Sequence, residues 1–139
     1  MKYSILLLFT IVMVFSCTDK KAGNSHEDLM QAVMTVHDEV MPKMGDIMKY
    51  KKQIDEKIQA LQAAGADANQ DVINKLQKVS DDLDASHVQM MDWMHEFNSD
   101  FEGMKEDDVI KYLNDQKTKI EQVGQQTEAA LKEAIASLQ

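Results

Sequence analysis

Arginine is missing from all 139 residues, and cysteine, proline and tryptophan occur once each. Without arginine the chain lacks the planar bidentate fork that reads phosphates and base edges. With a formal net charge of −9 as well, the sequence argues against nucleic acid as a partner. The lone cysteine, Cys17, cannot close an internal disulfide. One proline and five glycines leave few sites for tight turns, and no stretch alternates as a half-buried strand would. There is no glycine-rich phosphate loop and no H-E-x-x-H pair. No catalytic constellation is visible, so the chain is read as non-enzymatic.

The first sixteen residues, MKYSILLLFTIVMVFS, have the form of a secretory signal peptide: a positive Lys2, then an apolar run over residues 5–15 that is too short to span a bilayer. Ser16 directly precedes Cys17, as a small residue does in a bacterial lipobox, where cleavage leaves the cysteine as a lipidated N-terminus. The expectation is a protein anchored in the lipid bilayer through acyl chains, palmitate among them, on Cys17. Each buried CH₂ contributes about 0.8 kcal/mol, so several chains together give a lasting anchor. The competing reading is an ordinary secretory signal with an incidental cysteine.

Removing sixteen residues from 139 leaves 123, enough for one domain. With Lys2 gone, 14 of the 15 lysines remain against 24 acidic residues, a formal charge of −10. Residues 17–24 read as the lipidated N-terminus and a polar tether, and residues 25–139 as a helical domain. Ser25 is placed to cap a first helix over residues 25–63. Its seam positions are Met30, His37, Met44 and Ile58, alternating with Val33, Val40, Ile47, Ile54 and Leu61, and Lys51 interrupts the first set. Gly65 ends it. A second helix, capped by Asp67 with Gln70, places Val72, Leu76, Val79, Leu83, Ser86, Met90, Trp93 and Phe97 on one face. Turn formers over residues 98–103 then lead to an acidic start at Glu106. The third helix offers Val109, Leu113, Gln116, Ile120, Val123, Thr127, Ala130, Ala134 and Leu138 to the core.

The fold class expected is all-α, an antiparallel up-down-up three-helix bundle. A first helix of 39 residues would be roughly 58 Å long at 1.5 Å per residue, so the bundle is a rod. Sustained heptads also allow a homodimeric coiled coil as the alternative. Pro42 breaks the helical rule inside the first seam, because it removes one backbone donor and frees the carbonyl of Asp38. The apolar spacing continues through it, which favours a kink at Pro42 over a new helix.

Residues 30–48, MQAVMTVHDEVMPKMGDIM, place Met30, Met34, His37, Met41, Met44 and Met48 at steps of four and three, on one side of a helix. The second helix carries HVQMMDWMHEF at residues 87–97. Folding back near Ala66 pairs residues whose numbers sum to about 132. His37 then lies level with His95, Met41 with Met91, and Met44 with His87 and Val88, while His95 points toward solvent. Thioethers and imidazoles suit copper(I), and a Met/His pair suits haem iron. His37, Met41, Met44, His87 and Met91 are the candidate ligands, with Asp38 and Asp92 as carboxylates that would orient an imidazole. No C-x-x-C-H sequence is present, so haem would be held non-covalently. The plainer reading is that methionine fills an irregular core beside Pro42 and Trp93, with no copper and no haem, and that the two carboxylates are solvated flanks.

The segments VMTVHDEVMPKMGDIMKYKKQI, MMDWMHEF and YLNDQKTKIEQV, together with F-S-C at residues 15–17, resemble lipoproteins of Bacteroidota that carry the label "viral A-type inclusion protein". The resemblance implies export and lipidation and supplies no activity, cofactor or site residue. The function expected is that of an envelope lipoprotein, outer-membrane anchored and periplasm-facing, acting as a non-enzymatic binding or structural module for an envelope protein. Copper(I) or haem binding in the Met/His cluster is one alternative, and periplasmic holdase activity through adaptable Met-rich surface is another.

Overall fold

The computed structural model describes residues 25–139, and the expected signal peptide (residues 1–16), Cys17 and the expected tether lie outside the described residues. Four helices follow in order: α1 (His26–Val40), α2 (Lys43–Ala63), α3 (Ala66–Glu96) and α4 (Glu106–Leu138). Among the described residues there is no strand, and no helix is long and apolar enough to cross a membrane.

Ser25 starts α1 by accepting the Asp28 N–H on its hydroxyl at 3.2 Å, and Glu27 and Asp28 place negative charge at the positive end of the helix dipole. The single long first helix expected from the heptads is found as two helices, α1 and α2, meeting at Met41-Pro42. The ladder of α1 closes with Met41 N–H on the His37 carbonyl at 2.8 Å, and the next bond is the tighter step from Met44 N–H to the Met41 carbonyl at 3.1 Å. Pro42 has no N–H to offer between them. Both Met41 and Pro42 keep right-handed helical angles, so the chain runs on into α2 without reversing.

The reversal comes at Gly65, whose φ of 123° is open to glycine and costly for any other residue. Asn69 donates its side-chain amide back to the Gly65 carbonyl at 2.9 Å, and Asp67 makes no cap of the kind its spacing with Gln70 suggested. The 97–105 connection is held by Asx-type bonds: Asp100 N–H donates to Asn98 Oδ1 and Glu102 N–H to Asp100 Oδ1. Tyr112 of α4 accepts the Asn98 N–H on its hydroxyl at 2.8 Å and ties the connection to the bundle.

Three rods result, since α1 and α2 together act as one. His26 meets Glu106, Lys43 meets Glu128 and Lys57 meets the Ser137 carbonyl, so α1 and α2 ascend beside α4 in parallel. Asp55 meets Ser80 and His37 meets Met94, which sets α3 antiparallel to both. The residue sums of those two contacts, 135 and 131, bracket the hairpin register expected at 132. The bundle is about 50 Å long by the 33 residues of α4.

Val33, Val40, Ile47, Ile54, Leu76, Leu83, Met90, Leu113 and Ile120 fill the shared core. Each such side chain contributes roughly 1.5–3 kcal/mol on leaving water. On α4 every expected core position from Val109 to Ala134 is buried and Leu138 is half-buried. At the start of α3 the phase differs from expectation: Val72 is 47% exposed, and Ile73 takes the core position. Both are apolar, and either completes a helical step to Leu76, so packing against α2 makes the choice.

Candidate functional site

The His/Met cluster forms where α1 faces α3. No Cα atoms of these two helices approach within 8 Å, and long side chains fill the gap. His37 enters it from α1, with 18% of its side chain exposed. Its Nδ1 lies 2.9 Å from Asp38 Oδ1, and its Nε2 lies 3.4 Å from the Met94 sulfur. The Asp38 carboxylate accepts from Nδ1–H, and Nε2 stands against a thioether that is both a weak hydrogen-bond acceptor and a soft electron-pair donor.

Trp93 lies beside them, 6% exposed, its ring centroid 5.8 Å from that of His37. Its indole N–H is buried and has no hydrogen-bond partner among the described residues. From Trp93 the rings continue through Phe97, stacked at 4.9 Å, and Tyr112 to Phe101 and His26. This aromatic run closes the bundle at the end where α1 begins.

The candidate residues divide. Met41 and Met91 are half-buried and pack against the core, one turn from His37 and from Met94 respectively. Met44 is 5% exposed and belongs to the core itself. His87 is half-buried and His95 exposed, and neither is bonded to His37 among the described residues. Asp92 is exposed. Asp38, though mostly in solvent, folds back onto the imidazole one residue before it. Met94, within the second Met/His segment, is the donor that the candidate set lacks. A register sum of 131 in place of 132 brings it opposite His37. Among the described residues no three His, Cys, Asp or Glu side chains gather as a metal site built from those residues alone would require.

A second feature is a trough of about 610 Å³ between α3 and α4. Its floor includes Ala85, Ser86, Ala129 and Ala130, and charges of both signs, Lys78 and Asp82 on α3 and Glu133 on α4, stand along its edges. Lys78 donates to Asp82 at 2.6 Å, and that hydrogen bond raises the ammonium pKa above its ordinary value.

No protein-family model, curated protein or solved structure matches this chain.

Proposed function

We propose that the protein is a lipid-anchored, non-enzymatic module of the cell envelope that presents its α3–α4 trough to a helix of an envelope protein. The observation that carries this reading is the trough itself. Small side chains on its floor let a partner backbone approach closely, and mixed charges on its edges fix direction and register without committing to one sign.

The polarity of the rod supports it. Lipidated at Cys17, the chain would enter the bundle at the end that holds His26, Phe101 and Glu106. The trough runs from Lys75 to Gln89 on α3 and from Gln126 to Ser137 on α4, toward the opposite end. A bundle about 50 Å long would thus hold its binding face clear of the bilayer surface. The signal-like residues 1–16 and the likeness to envelope lipoproteins support the location.

A photo-crosslinking residue at Ala129 of the full-length protein tests the reading in intact cells. The expected result is one discrete adduct, lost when Ala85→Arg blocks the floor and kept in Lys119→Ala. Adducts that ignore the Ala85 substitution would overturn it. For the anchor, palmitate label should enter the wild type and be absent from Cys17→Ala; equal labelling refutes lipidation.

A further inference from the structure

The His37–Met94 pair performs no task in a protein-docking rod, yet its geometry is specific. His37 Nε2 and the Met94 sulfur stand 3.4 Å apart, a separation that a weak N–H···S contact spans with a proton and that a metal ion can span in its place. Bonds of about 2.0 Å to nitrogen and 2.3 Å to sulfur, typical of a first-row ion, span 3.4 Å at close to the tetrahedral angle. Axial ligands on opposite faces of a haem iron would need the sum of those bonds, so the pair stands too close for haem. The donor types then select the ion. Thioether sulfur is soft and suits copper(I), whereas zinc sites are completed by further imidazoles, thiolates or carboxylates and magnesium sites by oxygen ligands.

We propose that His37 Nε2 and Met94 Sδ, completed by the thioethers of Met41 and Met91, form a binding site for one copper(I) ion. Three further features fit. Asp38 already occupies the place of the carboxylate that fixes a metal-bound imidazole, holding Nδ1–H so that Nε2 faces inward. Met41 and Met91 lie one turn along on their own helices, half-buried against the core at the next level of the antiparallel register, and their unbranched thioether side chains are adaptable. Trp93 places a large, buried aromatic ring beside the imidazole, which keeps water from that side. This site is independent of the α3–α4 trough, so either can fail without the other.

The test uses the full-length protein in detergent micelles, kept anaerobic, with copper(I) competed against a chromogenic chelator such as bicinchoninate. One equivalent is expected to leave the chelator and to quench the emission of Trp93, the sole tryptophan, with the same end point. His37→Ala and Met94→Leu should each weaken uptake by at least about tenfold with the helical circular dichroism unchanged. Asp38→Ala should cost about tenfold, and Asp38→Asn, whose amide oxygen still accepts Nδ1–H, should recover most of it. Silver(I), the redox-inert probe, should shift the ¹³C-methyl signals of Met94, Met41 and Met91 and leave those of exposed Met48 and Met104 in place. Failure to compete with the chelator, uptake unaffected by Met94→Leu, or silver shifts confined to Met48 and Met104 would each overturn the proposal. The methyl signals decide on wild-type protein even where a variant misfolds.

Discussion

Ser80 of α3 donates its hydroxyl to Asp55 Oδ1 of α2 at 2.6 Å, and Lys51 Nζ holds the other carboxylate oxygen at 2.9 Å. Ser80 is 3% exposed, so a charge-assisted bond reaches into the seam at the level where Lys51 interrupts the apolar heptads. Burial alone would push the Asp55 carboxyl up. The Ser80 hydrogen bond and the Lys51 ammonium together outweigh it and leave the group below its ordinary value of 3.8.

A folded pKa below the unfolded one gives stability that is complete above the unfolded value and lost as pH falls through the folded one. The urea midpoint of wild type should therefore exceed that of Asp55→Asn near neutrality, and the two should converge as pH drops below 3.8. Asp55 is 39% exposed, so solvent screening keeps the Lys51 share within about 1 kcal/mol. Ser80→Ala should cost about 1 kcal/mol, because it strips a charge-assisted partner from a carboxylate that water can solvate only in part. A constant gap between wild type and Asp55→Asn across the whole pH range would refute the linkage.

Gly124 is buried in α4 where Val40 ends α1, and a Cβ added there would come within 3.0 Å of Val40 Cγ2. Alanine gains about 1 kcal/mol of helix propensity over glycine, but Val40 is β-branched, buried and slow to yield. Gly124→Ala should come out close to neutral, whereas Gly124→Leu should lose about 2 kcal/mol or more by overpacking. Val40→Ala should relieve part of the Gly124→Leu cost in a double-mutant cycle. Strictly additive denaturation energies would show that the two residues do not meet.

The stripe of α4 was the weakest of the three, with polar Gln116 and Thr127 in it, yet it was readable because its four-and-three spacing from Val109 to Ala134 admits a single phase. The hairpin register was readable to within a few residues, since a short turn at Gly65 leaves α2 and α3 little freedom. Where two apolar residues stood side by side, as Val72 and Ile73 do, periodicity could not choose between them. Lys51 showed as a gap in the pattern, but nothing local announced that Ser80 would meet Asp55 inside the seam. At the His37 cluster the residue types were legible and the partner was not: a shift of one in the residue sum exchanges His95 for Met94. Adjacent helix positions usually diverge, so the bond between His37 and Asp38 comes from side-chain torsions that spacing does not encode.

Met44 and Met48 sit one turn apart on the same stripe and should behave differently. Met44 is 5% exposed and Met48 is 51% exposed, because Ile47, at 0%, takes the core position next to Met48. Met44→Ala should cost about 2–5 kcal/mol by leaving a cavity, and Met48→Ala about 0.5 kcal/mol or less. Chemical denaturation of the two variants measures the contrast. Equal losses would mean that α2 is rotated from the position described.

His26 closes the opposite end of the bundle: its Nδ1 lies 2.9 Å from both carboxylate oxygens of Glu106, with Glu27 at 3.4 Å from Nε2. The hydrogen bond to Glu106 raises the imidazole above its ordinary 6.5, desolvation opposes it as the next largest effect, and the charges of Glu106 and Glu27 add to the rise. A folded pKa above the unfolded one gives stability that is full below 6.5 and lost as pH climbs through the raised value. The first turn of α1 should therefore exchange its amide hydrogens faster, after correction for intrinsic rates, once the pH passes that point. NMR titration of the His26 ring should give a midpoint above 6.5 that falls back in Glu106→Gln. A midpoint unmoved by that substitution would mean that the contact does not hold in solution. In that case the end of α1 nearest the proposed anchor would be fastened by apolar packing, Leu29 and Val33 foremost.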